Sequence, residues 1–188
     1  DLVQDNGRSK ADDNDEKGVA ASLLVQPWKE LRLGLGGTVS EVDATDASAF
    51  DLVSTELSVL YLDSTAGTFD GLRLRGDAHL LFLMGPVAVK AELLVRRDDV
   101  ADAGDLRSWG AYLQASWLLT GETKNIRRRV VPAHEWGACE LAFRAGRLEV
   151  ENPFDLGLAA SDGNARQITA YSAALTWWYG RRTRLTLN

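Results

Sequence analysis

Between Trp109 and Gly121 the chain alternates. Trp109, Ala111, Leu113, Ala115, Trp117 and Leu119 fill the odd positions, while Gly110, Tyr112, Gln114, Ser116, Leu118 and Thr120 fill the even ones. A period of two belongs to a β-strand, whose successive side chains point to opposite faces, and not to a helix. Strands in globular proteins usually run to about 5–6 residues. A run of about a dozen is what a tilted strand needs to cross a bilayer, so the pattern reads as the wall of an outer-membrane type β-barrel.

The pattern recurs along the chain. Leu72, Leu74, Gly76, Ala78, Leu80 and Phe82 oppose Arg73, Arg75, Asp77 and His79, and then Val87, Val89, Ala91, Leu93 and Val95 oppose Lys90, Glu92 and Arg96. Gly85-Pro86 between them predicts a tight hairpin turn. Leu31, Leu33, Leu35, Gly37 and Val39 alternate with Arg32, Gly34, Gly36 and Thr38, and Leu141, Phe143 and Ala145 with Glu140, Ala142 and Arg144. Tyr171, Ala173, Leu175 and Trp177, then Leu185 and Leu187, continue the theme. The expected fold class is all-β, an antiparallel transmembrane β-barrel to which this chain contributes about eight or nine strands.

Composition fits a barrel. The hydrophobic share is 45% and no apolar run approaches the length of a membrane helix, because a barrel distributes its hydrophobicity by alternation. The six tryptophans fall mostly near strand ends, where an interfacial girdle would hold them. One cysteine, Cys139, leaves no internal disulfide and sits on the expected lipid face beside Leu141. A formal charge of −6 argues against a nucleic-acid partner, yet an ion in a pore feels only the side chains that line it. The first residues carry no apolar leader segment, so residues 1–17 are expected to be a polar loop or linker and residues 18–188 barrel wall.

Five blocks resemble, in order, the phosphate-selective porin O and P family. They are Gly18-Val19-Ala20-Ala21 through Trp28 with Leu31 to Gly36, Gly85-Pro86 through Glu92, Gly110-Ala111-Tyr112 through Glu122, Trp136-Gly137-Ala138-Cys139-Glu140 through Arg144, and Thr176-Trp177-Trp178-Tyr179 with Arg184 to Asn188. The resemblance implies a homotrimer of outer-membrane barrels, each of about sixteen strands, passing phosphate or polyphosphate through a water-filled lumen lined by Arg and Lys. On that comparison the chain is expected to be the C-terminal part of a larger barrel, with its closing strand beyond Asn188.

Alternation assigns the lumenal charges. Arg32, Arg73, Arg75, Lys90, Arg96, Arg144 and Arg184 face inward, against Glu56, Asp77, Glu92 and Glu140. Cross-strand pairing would cancel part of this, but Arg73 and Arg75, read as lying beside Lys90 in the Gly85 hairpin, are expected to leave a positive wall. Gln114 and Ser116 are expected to be wetted from inside. Bacterial barrels keep turns short on one side and loops long on the other, and Pro27–Glu30, Met84–Pro86 and Tyr179–Arg182 are the short turns. An even strand count between them requires Val53–Tyr61 to belong to a long connection and puts Gly121–Glu135 on the short-turn side. That segment carries Arg127, Arg128 and Arg129, which either form a solvated loop or fold inward and attract anions.

The candidate anion-binding set is therefore Arg73, Arg75, Lys90, Arg96, Arg144, Arg127, Arg128 and Arg129. No cofactor, metal-ligand spacing, nucleophile elbow or phosphate-cradling loop accompanies them, and Gly34-Leu35-Gly36-Gly37 lies within a strand, so no enzyme is expected. The expected partners are outer-membrane lipid and small inorganic anions. A general or differently selective porin is the alternative reading, motivated by Glu92 and Glu140. A soluble β-sandwich or lipocalin-like module is a second.

Overall fold

The computed structural model describes residues 2–3, 17–46, 52–53, 60–63, 67–125, 129–180 and 183–188. Its strands are β1 (Leu2–Val3), β2 (Gly18–Trp28), β3 (Leu31–Asp46), β4 (Leu52–Val53), β5 (Leu60–Leu62), β6 (Thr68–Met84), β7 (Val87–Val100), β8 (Gly104–Leu118), β9 (Ala138–Glu151), β10 (Gln167–Tyr179) and β11 (Thr183–Leu187). One nine-stranded antiparallel sheet runs β1-β2-β3-β6-β7-β8-β9-β10-β11, and β4-β5 forms a separate pair. No helix occurs among the described residues. The sheet does not close on itself. Its edges are β1 and β11.

Of the Val53–Tyr61 region, Val53, Leu60 and Tyr61 belong to β4 and β5, which pair with each other and not with the main sheet, and residues 54–59 lie outside the described residues. The turns at Lys29–Glu30, Gly85–Pro86 and Gly180 share one end of the sheet with residues 119–137. At the other end lie β4, β5 and Asp63, residues 152–166 and the short Ala101–Ala103 turn, where Asp102 takes the left-handed conformation. We call these the short-turn end and the long-connection end.

The two faces differ sharply. The outer face carries Leu23, Leu35, Val39, Val95, Leu113, Trp117, Leu141, Phe143, Leu175 and Leu187, all exposed. Opposite them the inner face carries Ser40, Asp98, Ser116 and Thr176, all covered. Trp28, Trp117, Trp177 and Tyr179 ring the outer face at the short-turn end, and Trp109 stands toward the other. Trp109 to Trp117 spans roughly 27 Å along the strand at about 3.4 Å per residue, or about 20 Å of height at a barrel-like tilt, close to the usual apolar band.

Strands β7 and β8 continue past that band. Above Trp109 the outer face becomes charged with Arg97, Asp99, Asp105 and Arg107, joined by ion pairs. Hydropathy therefore stops alternating where the strand does not.

A small apolar core closes the inner face at the long-connection end. Leu62, Phe69, Val100, Leu106, Val150 and Leu158 are buried together, with Leu156 and Ile168 packed against them. Leu62 from one long connection and Leu158 from the other meet in it, and the two are tied by the Asp63 amide, which donates to Asn164 Oδ1 at 2.7 Å. Ionic groups at the outer rim, an apolar outer belt and an inward-folded core form one consistent section through a membrane wall.

Adjacent residues of β2 test the faces. Leu23→Arg places a charge on the exposed apolar face and should cost roughly 2–4 kcal/mol, whereas Ser22→Arg, which faces inward toward Gly36 and Asp77, should cost under about 1 kcal/mol. Urea titration of refolding into detergent or lipid reads both, and equal costs would contradict the assignment.

Candidate functional site

The inner face divides into three zones. At the long-connection end Asp98 is only 2% exposed and lies between two guanidinium groups. Arg73 Nε donates to Asp98 Oδ1, and Arg96 Nε and Nη2 donate to the same carboxylate, the latter at 3.1 Å. Both guanidiniums also stand over the Phe69 ring, at 5.7 and 5.8 Å. A carboxylate so deep is tolerated because charge-assisted bonds replace its water.

The hairpin register explains the clamp. The two-residue turn pairs Met84 with Val87, and counting outward brings Arg73 opposite Asp98, Arg75 opposite Arg96 and Lys90 opposite Leu81. Arg73 and Arg75 thus cluster with Arg96, and Lys90 lies roughly 20 Å farther down the strand. The expected patch of Arg73 and Arg75 beside Lys90 is corrected accordingly, because an antiparallel hairpin sets neighbours by distance from its turn.

The middle zone mixes charged side chains with the exposed Leu24 and Leu94. Register places Arg32, Leu81, Lys90, Gln114, Arg144 and Ser172 in a single row across β3, β6, β7, β8, β9 and β10. Three of those six side chains are cationic, on alternate strands about 10 Å apart. Lys90 is exposed. Arg144 lies 4.2 Å above the Tyr112 ring, which fixes the guanidinium flat against the wall.

The next row toward the long connections holds His79 opposite Glu92, and His79 Nδ1 lies 3.0 Å from Asp77 Oδ2. Gly34 and Gly36 make room for this pair. A Cβ at Gly34 would stand 2.1 Å from His79 Nε2, and one at Gly36 2.1 Å from Asp77 Oδ1. Gly34 and Gly36 therefore have a definite use, since His79 and Asp77 lie over the neighbouring strand.

The short-turn end is covered by residues 119–137. The Lys124 amide donates to Gly85 O at 2.8 Å, and Lys124 Nζ donates to Ser116 Oγ and Glu140 Oε1. Trp178 Nε1 donates to Glu140 Oε2 at 3.1 Å. Ser116 faces inward as expected, but Lys124 covers it, and it is not wetted.

Glu122 ties the connection together, accepting from Thr120 Oγ1 and, at 3.1 Å, from the Ala133 amide. Burial alone would raise its pKa. The bonds from Thr120 and Ala133 and the nearby His134 outweigh burial and hold the carboxyl below its ordinary value. A cavity of about 460 Å³ separates this connection from the turns and is lined by Lys29, Glu30, Arg32, Thr123, Lys124 and Asn125.

Of the candidate set, Arg73, Arg75 and Arg96 stand together, while Lys90 and Arg144 share the middle row. Arg184 faces inward, 5.6 Å from the Trp178 ring. Arg129 is exposed on the 119–137 connection, and Arg127, Arg128 and Glu56 lie outside the described residues. Alternation alone missed Asp98, whose charged neighbours Arg97 and Asp99 hide the period, and Lys124, which lies outside any strand and reaches Gly85, Ser116 and Glu140. The Gly85-Pro86 turn held the signal for Asp98, because counting back from it pairs Asp98 with Arg73.

A family model described as phosphate-selective porin O and P matches residues 5–188. Neither the curated proteins nor the solved structures return a match. The family is one of bacterial outer-membrane channels, and an all-β antiparallel sheet with an apolar outer face and a polar inner one is the wall such a channel requires. With the match running over nearly all its length, the chain belongs to the phosphate-selective porin O and P family.

Proposed function

We propose that this chain forms wall strands of an outer-membrane barrel that conducts small inorganic anions, phosphate above all and polyphosphate by the same contacts. The observation that carries the reading is the row of Arg32, Lys90 and Arg144 across the inner face, with Lys90 exposed at its centre. Rings of Arg and Lys select anions and phosphate in channels. Strand tilt inclines such a row to the membrane plane, so the three cations stand at successive heights and pass an anion along a staircase of weak sites. Guanidinium groups at Arg32 and Arg144 match phosphate oxygens, and Lys90 adds a mobile point charge.

The clamp at Asp98 has a different task in this reading. Arg73 and Arg96 hold the wall beneath the inward-folded connections, and Arg75 stands beside them on the approach to the row. Outer-membrane localisation and a homotrimer belong to the same reading through the family, and pairing of the sheet edges with further strands follows from it because an open edge in lipid costs several kcal/mol per unsatisfied backbone group. A differently selective porin remains the second reading on one observation, that Asp77 and Glu92 stand beside the row on the same face.

Charge reversal separates the roles. Lys90→Glu or Arg144→Glu should move the reversal potential under a salt gradient toward cation selectivity and weaken phosphate block of chloride current, with folding intact. Arg73→Glu should instead destabilise the barrel by about 3–5 kcal/mol, since it sets a second carboxylate against buried Asp98. Unchanged reversal potentials in both middle-row variants would remove the anion-selective reading.

Glu122 gives a pH dependence. Its folded pKa lies below the ordinary value, so its contribution is present above the unfolded pKa and is lost as pH falls through the lowered one. Thermal stability should therefore drop below the ordinary carboxylate range by more in the wild type than in Glu122→Gln, which should cost about 1–2 kcal/mol at neutral pH. Parallel profiles for the two proteins would show that Glu122 does not anchor the connection.

A further inference from the structure

On the outer face, where the apolar band gives way to charge, a groove of about 470 Å³ runs between β6 and β8. Gly76 opens its floor, and a Cβ there would stand 3.0 Å from Val95 Cγ2. Leu74, Leu93, Val95 and the Trp109 ring supply apolar walls. Its rim is ionic. Register sets Arg97 directly opposite Arg107, and Arg107 opposite Glu151.

Two cations facing each other across a ladder repel, and Asp105 relieves this unequally. Its Oδ2 is 2.8 Å from Arg97 Nη2 but 3.6 Å from Arg107 Nη2, and Asp99 adds a 3.9 Å contact to Arg97. Arg107 therefore keeps donors directed outward, with its side chain 58% exposed. Among the described residues Glu151 has no ion pair.

We propose that this groove is a binding site for a phosphorylated acyl-glycolipid of the lipid A class, with an acyl chain lying over Gly76 against Trp109 and a phosphate on Arg107 and Arg97. An apolar trough ending at paired guanidiniums fits an amphiphile with an anionic oxygen-rich head, and a guanidinium fork suits phosphate better than any neutral headgroup. The groove lies toward the long connections, the side that bacterial barrels turn outward, which places it in the leaflet built from such glycolipids. Glu151, facing Arg107 across the rim, opposes the phosphate and limits the affinity. The site rests on the proposed placement of the outer face in an outer membrane.

Native mass spectrometry of the full chain in detergent, titrated with bisphosphorylated lipid A, its dephosphorylated form and phosphatidylcholine, tests the site. The bisphosphorylated form should bind at least about tenfold tighter than the other two, Arg107→Gln should reduce that margin about tenfold, and Glu151→Gln should increase it. Opposite movements by two exposed rim variants cannot come from a general loss of fold. Equal affinity for the three lipids, or both variants moving the same way, overturns the site. Tryptophan quenching in vesicles of bromine-labelled phosphatidylcholine reports membrane placement separately. Quenching without phosphate preference overturns the site alone, whereas absence of quenching overturns the membrane reading and the site with it.

Discussion

Backbone hydrogen bonding fixes this molecule before any side chain does. In a bilayer each N–H and C=O must find a partner within the protein, and a strand can find it only in its neighbours. Register then follows from the turns, and here the Gly85–Pro86 turn matters most. With Gly85 in the left-handed region and Met84 paired to Val87, the pairing of β6 with β7 is determined as far as Arg73 and Asp98, beyond which the register shifts before Phe69 meets Val100. A slip of β6 by one residue would send Arg73 and Arg75 into lipid.

The inner face uses that register in two ways. Where charges are buried they are paired, as at Asp98 with Arg73 and Arg96 and at Glu140 with Lys124. Buried pairs contribute little net stability but are costly to break, so they specify how the connections settle more than how tightly the sheet holds. Farther along the inner face the row of Arg32, Lys90 and Arg144 outnumbers the neighbouring Asp77 and Glu92. Covered ends on either side of this row would concentrate the field on a short stretch of the path, where low-dielectric walls make each charge count for more.

Much of this was legible in the sequence. Alternation placed Leu113, Leu141 and Phe143 outward and Gln114 and Arg144 inward, and the family resemblance was borne out by the match over residues 5–188. Less legible were the upper halves of β7 and β8, because Arg97, Asp99, Asp105 and Arg107 charge the outer face above the apolar band and erase the period. The neutralising role of Asp98 required pairing, not patterning. The Lys124 contacts join residues far apart in sequence, which no local rule reaches.

Thiol accessibility on adjacent residues probes the division of the wall most directly. In a Cys139→Ala background reconstituted in lipid, single cysteines at Lys90 and Arg144 should react quickly with a charged, water-soluble thiol reagent. Cysteines at Ala91 and Phe143 should stay unreactive in lipid, and one at Leu106 should be protected under the inward-folded connections. Fast reaction at Phe143 and Ala91, with protection at Arg144 and Lys90, would contradict the account.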